Sequence, residues 1–529
     1  MAWARARLAL FAAGVVGLVL VSGGSSADPR TPSGLPGLAP PFLGTAVVGD
    51  GGLTAAIDAY GDVVDLRAPG PAGRALIDNP ADRQAAGTVP ENTGIVPRVR
   101  IDGGPALPLW RADSVTQRYL AGTNVVRTVA RFGRARVAIT DAAEGGDFAR
   151  RLTVTSPAGV RVVPFLGLNV EAGARCEREP RPRSIDLVCS VGGPVVPASV
   201  AEKAGLILRA ATAADRGWLG GARPLGTGAP PWAREMYRRS LLTLRALTDR
   251  HTGAVAAGAR DGWAYVWPRD AATAAMAFAG AGYRPEARRA ARFLLGLHLD
   301  AAARFAGDGT PVEGRAAQGD AEGWTAVAAR ATGLQPPDRR LAWRNRADYQ
   351  EADPGEYLAN AIAATADVSE FVPPMWWENS DTPRGLVREA GDGASGLDSA
   401  AAWAVRPFPI PSIYPAVRRT LRDLIAQQGP FGVTPGEAWP GTDPWTAPTA
   451  WTAWSLAALA SSDRSSGRRP RARTERHQAL RLLGDLRRAA TPAGALPERV
   501  DARTGVPRST TPLAWSHAFA ILALRQLWP

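Results

Sequence analysis

The spacing of hydrophobic residues changes once along this chain. From about residue 40 to 215, apolar and polar residues alternate with a period of two, and turn residues recur at short intervals. The segment 44–66 holds two alternating runs around Gly-Asp-Gly-Gly, a pattern typical of a β-hairpin. Three later segments repeat the alternation: 134–140, 150–156 and 159–168. The pattern predicts an antiparallel β-sandwich domain over residues 28–216.

A Gly- and Pro-rich stretch, 217–231, follows the alternating half and is predicted to be a linker. Beyond it, apolar residues recur at i, i+3 and i+4, the spacing of an amphipathic helix. Eight segments carry this pattern: 232–248, 268–281, 284–299, 322–333, 414–427, 448–461, 476–490 and 511–527. A series of helical hairpins over 232–529 predicts a toroid of paired helices. The loops at one end, rich in Trp, Asp and Pro, would then surround a central pit.

The first residues have the three parts of a secretory signal. Arg5 and Arg7 precede an apolar run over 8–21, and small residues follow up to Ala27. We expect a signal peptide over 1–27, with cleavage after Ala27, and a secreted or cell-surface protein. Contact with a membrane is expected only if this signal stays uncleaved.

The formal charge of +13 raises the question of a nucleic-acid partner. Arginine supplies nearly all of the positive charge, and the arginines are scattered along the chain. The densest group lies at 461–477 and is predicted to be a solvated loop. Because nucleic-acid sites are contiguous basic stripes, we expect no nucleic-acid partner.

Cys176 and Cys189 are the two cysteines of the chain. In an exported protein they are expected to form a disulfide, and the alternative is a pair of buried thiols. Neither cysteine has a second Cys or a His at the spacing of metal ligands. The sequence therefore predicts no metal site here.

The stretch DGWAYVWPRD, 261–270, places Trp263, Tyr265 and Trp267 just before a predicted helix. Proline at 268 suits the first helical position, so Arg269 and Asp270 fall in the first turn. A carboxylate at a helix start has a structural use, but it does not explain the aromatic rings. Rings beside a guanidinium and a carboxylate suit a hexose, since rings cover C–H faces and charged groups bind hydroxyls. The alternative is that these tryptophans only fill the core.

Five motifs then occur in one order: VWPRDAA, QGDAEGW, LDSAAAW, GTDPWTAPTAW and LPERV with PLAWSHA. In this series the chain resembles the glucoamylase family of glycoside hydrolases, which includes glucodextranases and some bacterial trehalases. The resemblance covers roughly 262–527. It implies a β-sandwich followed by an (α/α)6 barrel of six helical hairpins. It also implies inverting, exo-acting release of glucose from the non-reducing ends of α-glucosides, with no cofactor and with an α-glucan oligosaccharide or polysaccharide as substrate.

The resemblance also assigns roles to residues. Glu498 matches the general base that activates water, and Arg269 and Asp270 match the pair that binds the terminal glucose. Gln318 and Asp320 match a polar patch near the cleaved bond. Four tryptophans are expected to line the pocket: Trp267, Trp324, Trp445 and Trp515.

An inverting mechanism needs a second carboxylate, at roughly 6.5–9.5 Å from the base. Glu378, in PPMWWENSD, matches the Trp-Glu acid motif of the family and is the predicted general acid. Asn379 stands where a second acidic residue is usual, and LDSAAAW follows Glu378 after only nineteen positions. Either the barrel has lost a helix pair or Glu378 only mimics the motif. The second hypothesis for function is therefore a catalytically inactive, glycan-binding relative.

Overall fold

The structure, a computed structural model, describes residues 34–77, 94–170, 173–191, 199–259, 262–336, 342–366 and 372–529. The signal peptide predicted over 1–27 lies outside the described residues. In the part of the chain that is described, no helix has the length and apolar character needed to cross a membrane.

Two antiparallel sheets form the first half of the chain. The strands are β1 Gly44–Gly49, β2 Thr54–Asp58, β3 Val63–Ala68, β4 Arg74–Ile77, β5 Gly94–Ile101, β6 Ala106–Pro108, β7 Ser114–Tyr119, β8 Val126–Phe132, β9 Ala135–Glu144, β10 Asp147–Thr155, β11 Val162–Asn169, β12 Arg175–Arg181 and β13 Ser184–Ser190. One sheet has the order β1-β2-β3-β5-β11, with β4 on β3 and β6 on β5. The other has the order β12-β13-β10-β9-β8-β7. The predicted β-sandwich is confirmed.

A helix that the alternating pattern did not predict follows the last of these strands. Helix α1, Val200–Gly220, starts with a capping box, in which Ser199 and Glu202 each bond the other's backbone N–H. It packs on strands β9, β10 and β13 of the six-stranded sheet. The helix therefore includes 217–220, the first residues of the predicted linker. The Gly and Trp residues at the end of the helix have the composition of a linker. Composition alone does not show that this helix packs on a sheet.

The second half is a ring of six inner segments. They are helices α3 Pro268–Ala281, α5 Ala321–Ala331, α6 Leu358–Ala364, α9 Thr446–Ser465 and α11 Ala514–Leu527, with the 3-10 helix Ser399–Ala404 as fourth member. Each segment packs against the next, and the last packs against the first, so the ring closes. Helices outside the ring return the chain: α2 Pro231–Ala246, α4 Arg284–Leu295, α7 Pro374–Ser380, α8 Tyr414–Ala426 and α10 Arg469–Ala489. This is the predicted (α/α)6 barrel.

The barrel is reduced around its third and fourth inner segments. Helix α6 and the 3-10 helix have only seven and six residues. The described residues between α5 and α6 hold no helix, and a small sheet follows α7, with strands β14 Asp381–Thr382, β15 Gly385–Glu389 and β16 Asp392–Leu397. The early arrival of LDSAAAW thus reflects short segments in a ring that still closes. The predicted loop at 461–477 is also wrong in part, since α9 and α10 extend into it from both sides.

Aromatic side chains fill the axis of the ring. Trp451 is fully buried, and its ring centroid lies 5.3 Å from that of Trp403 and 5.6 Å from that of Phe519. Its indole N–H donates to the carbonyl of Ser399 at 3.0 Å. Trp324 closes the cluster with edge contacts to Trp403 at 5.0 Å. The centre of the barrel is therefore packed protein, and any pit in it must be shallow.

Removal of a ring from this axis should destabilise the fold. We expect Trp451→Ala to lower the free energy of unfolding by about 3–5 kcal/mol, because a buried indole leaves a cavity that the ring of helices cannot fill. Urea denaturation followed by tryptophan fluorescence measures the change. Trp377→Ala, on the half-buried face of α7, is the matched control and should shift the midpoint much less. Equal shifts in the two variants would contradict a structural role for the axial cluster.

Candidate active site

A pocket of about 650 Å³ opens at one end of the barrel. Residues of the loops before inner segments, and of the first turns of those segments, line it: Ala257, Trp263, Trp267, Arg269, Asp270, Arg315, Tyr349, Gln350, Glu351, Trp439, Trp445, Glu498, Arg499, Arg508, Ser509, Leu513 and Trp515. The inner segments start at the same end of the ring, so the loops before them converge there. The predicted rim around a pit corresponds to this pocket.

The start of helix α3 supplies one wall. Trp267 is the N-cap residue, Pro268 is the first helical residue, and Arg269 and Asp270 follow in the first turn. Burial raises the pKa of Asp270 to about 7. The positive charge of Arg269 lowers this pKa, and the negative charge of Glu498 raises it. The pocket therefore holds a carboxyl group that is only partly ionised near neutral pH.

Arg269 is fixed in place from behind. Its guanidinium donates to Gln318 Oε1 at 3.0 Å and to Asp320 Oδ2 at 2.7 Å. The guanidinium also lies 4.6 Å from the ring centroid of Trp515. Gln318 and Asp320 are buried and do not line the pocket, so they reach it only through Arg269. Their carboxylate and amide hold the arginine that faces the pocket.

Glu498 is held at both its backbone and its side chain. Its N–H donates to the carbonyl of Thr510 at 2.9 Å, and its carbonyl accepts from the N–H of Thr446 at 3.0 Å. One carboxylate oxygen accepts from the indole of Trp263 at 3.3 Å, and the other accepts from the hydroxyl of Ser509. Each carboxylate oxygen thus has one donor, and the group is oriented along the wall of the pocket.

The three aromatic rings of the DGWAYVWPRD stretch have three different environments. Trp263 bonds Glu498, and Trp267 lines the pocket, where the guanidinium of Arg315 lies 5.7 Å from its ring centroid. Tyr265 does not line the pocket and packs near Arg304, at 4.8 Å. Two of the three rings therefore belong to the site.

Glu378 is not in the pocket. It lies on α7, one of the helices outside the ring, and its side chain is exposed. The tryptophan that is buried on this helix is Trp376, which packs against Trp343 at 5.6 Å. The prediction that Glu378 is the general acid is wrong, because the Trp-Glu pair lies on a helix outside the ring rather than in a loop before an inner segment.

A different glutamate, Glu351, lines the pocket together with Glu498. It lies in the loop before helix α6 and forms an ion pair with Arg315. Its backbone has φ of +60°, in the left-handed region that non-glycine residues seldom adopt. Sequence reasoning missed Glu351 because no tryptophan precedes it. The signal available was its place between Gln318 and LDSAAAW, where a loop before an inner segment had to lie.

A buried polar network holds the loop that carries Glu351. Arg388 bonds Asp348 at 2.8 Å, and Asp398 accepts from the hydroxyl of Tyr349 and from the amide of Gln350, both at 2.9 Å. Burial raises the pKa of Asp398 to about 7, against the opposing charge of Arg388. The two residues before Glu351 are thereby attached to the start of the fourth inner segment.

The remaining predicted residues divide into two groups. Trp267, Trp445 and Trp515 line the pocket, as does Trp439, which the sequence did not single out. Trp324 does not line it, because the ring is fully buried in the axial cluster. The expectation that Trp324 contacts substrate is therefore wrong, since its helix directs the ring inward.

The remaining predictions concern the cysteines and a metal site. A disulfide joins Cys176 and Cys189 across the paired strands β12 and β13. Within the described ranges, no group of three His, Cys, Asp or Glu side chains is placed to hold a metal ion.

The raised pKa of Asp270 predicts a pH-dependent stability. Its value of about 7 exceeds the usual 3.8, so folding favours the protonated form, and stability falls as pH rises from about 4 to 7. Asp270→Asn removes this loss, so the variant should be more stable than the parent at pH 8, by roughly 4 kcal/mol at most, and similar to it at pH 4. Urea denaturation at both pH values measures the difference. The exposed substitution Asp300→Asn should show no such dependence, and a parallel response of the two variants would contradict the buried carboxyl.

Comparison with known proteins agrees with the observed fold. Residues 231–303 match the family model "Glycosyl hydrolases family 15". The fold is similar to that of a bacterial glucoamylase complexed with acarbose, with a TM-score of 0.66 and 13% identity over 94% of this chain and 95% of that one. Two structures show weaker similarity. A glucoamylase from Saccharomycopsis fibuligera has 13% identity, covering 56% of this chain and 94% of that one, with a TM-score of 0.45. A glycosidase in complex with glucose has 19% identity, covering 57% of this chain and 99% of that one, with a TM-score of 0.47.

No curated protein sequence matches the chain. The family model covers the start of the barrel, and the structural similarity to the bacterial glucoamylase extends over both the sandwich and the barrel of this chain. The resemblance to the glucoamylase family of glycoside hydrolases is thereby confirmed, and the protein has the fold of that family.

Proposed function

We propose that the chain is an inverting, exo-acting glycoside hydrolase that releases glucose from the non-reducing ends of α-glucans. The observation that carries the proposal is that two glutamates, Glu351 and Glu498, line one pocket together with Asp270, and that the floor of this pocket is closed. Tyr349 and Trp515 form part of the lining and pack against Trp451 beneath it. A pocket closed by packed rings accepts a chain end and not the middle of a polymer.

The proposed mechanism divides the work between the two carboxylates. Glu498 accepts a proton from water as the water attacks the anomeric carbon, while Glu351 donates a proton to the departing oxygen. Trp263 and Ser509 hold the carboxylate of Glu498 in one orientation during this transfer. Inversion requires attack on the face opposite the leaving group, with space for a water molecule between the two carboxyl groups.

The sugar is held by the residues at the start of helix α3. Arg269 and Asp270 offer charged hydrogen-bond partners to vicinal hydroxyls, and the rings of Trp267 and Trp515 offer faces to C–H groups. The bacterial glucoamylase of the same fold was solved with acarbose, which makes acarbose the first ligand to test. The signal predicted over 1–27 adds the proposal that the enzyme acts outside the cytoplasm, on oligosaccharides or polysaccharides.

The second candidate is a glycan-binding protein without catalysis. The observation in its favour is the ion pair between Glu351 and Arg315. A general acid must carry a proton before the reaction, and a neighbouring guanidinium favours the carboxylate. Calorimetric binding of maltose or acarbose, with no glucose released from maltose or isomaltose over a long incubation, would support this candidate over the hydrolase.

Glu498→Gln should abolish turnover while leaving the fold intact. General-base assistance contributes roughly 10² to 10⁴ in rate, and Gln has the shape of Glu without its basicity. Its Oε1 can still accept from Trp263, and its amide N–H can donate to the hydroxyl of Ser509. Glucose release from malto-oligosaccharides measures the loss, and acarbose binding by calorimetry checks that the pocket persists. For the parent protein, NMR of the first glucose released distinguishes β-glucose, which inversion predicts, from α-glucose. Undiminished turnover in Glu498→Gln would overturn the mechanism.

The assignment of the acid has its own test. Glu351→Gln should lose most activity on maltose but keep activity on α-glucosyl fluoride, because fluoride leaves with little need for a proton. Glu378→Gln is the matched control, and both activities should stay at the parent level. The opposite result, loss in Glu378→Gln and none in Glu351→Gln, would return the acid role to the Trp-Glu motif.

A further inference from the structure

A row of arginines lies on the exposed face of the six-stranded sheet. Strand pairing sets Arg118 directly opposite Arg127, and Arg131 directly opposite Arg136. The two pairs lie four residues apart along β8, which is about 13 Å at the rise of a strand. Together with Ser114, Thr116 and Val129 they line a hollow of about 360 Å³, which we name the trough.

The trough carries positive charge without compensation. Like charges directly opposite each other destabilise a sheet unless an anion lies between or beside them. Among the described residues, none of the four arginines forms an ion pair. The Nε of Arg127 is buried and has no hydrogen-bond partner there. The face therefore has donors in position and no anion of its own to receive them.

The trough continues into a second hollow, which we name the cleft. Arg118 lines both, because β7 is the edge strand of the sheet and faces helix α2 of the barrel. The cleft has a volume of about 350 Å³, and its charged lining adds Arg238, Arg239 and Arg487. Glu235 is the one carboxylate among the residues that line either hollow.

The lining of the cleft combines charge with apolar surface. Arg239 is buried at the junction of sandwich and barrel, bonds the carbonyl of Thr123 at 2.8 Å, and lies 3.6 Å from the ring centroid of Tyr119. Trp232 is half-buried and lines the same cleft. Arginine beside an indole suits a sugar ring that carries a carboxylate, since the guanidinium matches the carboxylate in a bidentate geometry and the ring covers C–H groups.

We propose that the trough and the cleft together form one binding groove for an acidic polysaccharide, a chain of sugars bearing carboxylates. The groove shares no lining residue with the pocket of Glu498, so it is a site separate from the proposed hydrolytic one. Its two arginine pairs and the cleft beyond them suit repeated anionic groups along an extended ligand. Such a site would attach the protein to an anionic polymer while the pocket acts on a neutral one.

The test uses the full chain with polygalacturonate as the carboxylated probe, pullulan as the neutral polymer and polyphosphate as the anion without sugar. Calorimetry at low salt, about 50 mM NaCl, should show binding of polygalacturonate. The affinity should fall steeply when the salt concentration is raised about tenfold. Two double variants remove charge from the groove: Arg127→Gln with Arg131→Gln in the trough, and Arg238→Gln with Arg487→Gln in the cleft. Each should weaken binding at least about tenfold, the effect of losing one charge-assisted hydrogen bond.

The matched control removes two exposed arginines from helix α10, by Arg473→Gln with Arg481→Gln, and should leave binding unchanged. Glu498→Gln should also bind polygalacturonate as the parent does, which separates this proposal from the hydrolytic one. Three results would overturn the groove: no binding of polygalacturonate, equal weakening in the control, or an unchanged affinity in either groove variant. Binding of polyphosphate alone would equally overturn a polysaccharide ligand.

Discussion

The closure of the inner ring around a packed aromatic axis is the constraint on which the rest of the structure depends. Trp324, Trp403 and Trp451 meet edge to face in the centre, and each is fully buried. Because the axis is full, ligands can enter only above it, among the loops that precede the inner segments. The same closure sets those loops in a circle, so residues far apart in the sequence face one pocket.

Two buried ion pairs lie at and below the pocket. Arg269 faces Asp320, and Arg388 faces Asp348, with all four groups at least nine-tenths buried. A buried pair adds little net stability, since removing both charges from water offsets their attraction. What it provides is a fixed position. The pairs hold the start of α3, which faces the pocket, and the loop of Glu351, which lies two segments further around the ring.

The sandwich and the barrel share polar contacts that cross their junction. Asn124 donates to the carbonyl of Leu242 at 2.9 Å, and Thr54 donates to the carbonyl of Ala246 at 2.9 Å, so both sheets contact helix α2. Arg250 adds an ion pair with Asp50 at 2.9 Å. The cleft beside β7 lies at this junction and takes one wall from each half of the chain.

The sequence by itself determined the division into a β-rich and a helical half, most helix positions, and residues of three loops of the site. This was possible because the spacing of hydrophobic residues and the turn before Pro268 are local properties of the chain. It also led to Glu498, Arg269 and Asp270 through motifs that lie next to their helices. It did not determine which tryptophan and glutamate face the pocket. Trp324 and Glu378 stand in motifs of the right kind, but one ring points into the axis and the other side chain lies outside the ring. Only the closure of the barrel decides which end of a segment faces the pocket, and that closure depends on contacts between residues distant in the chain.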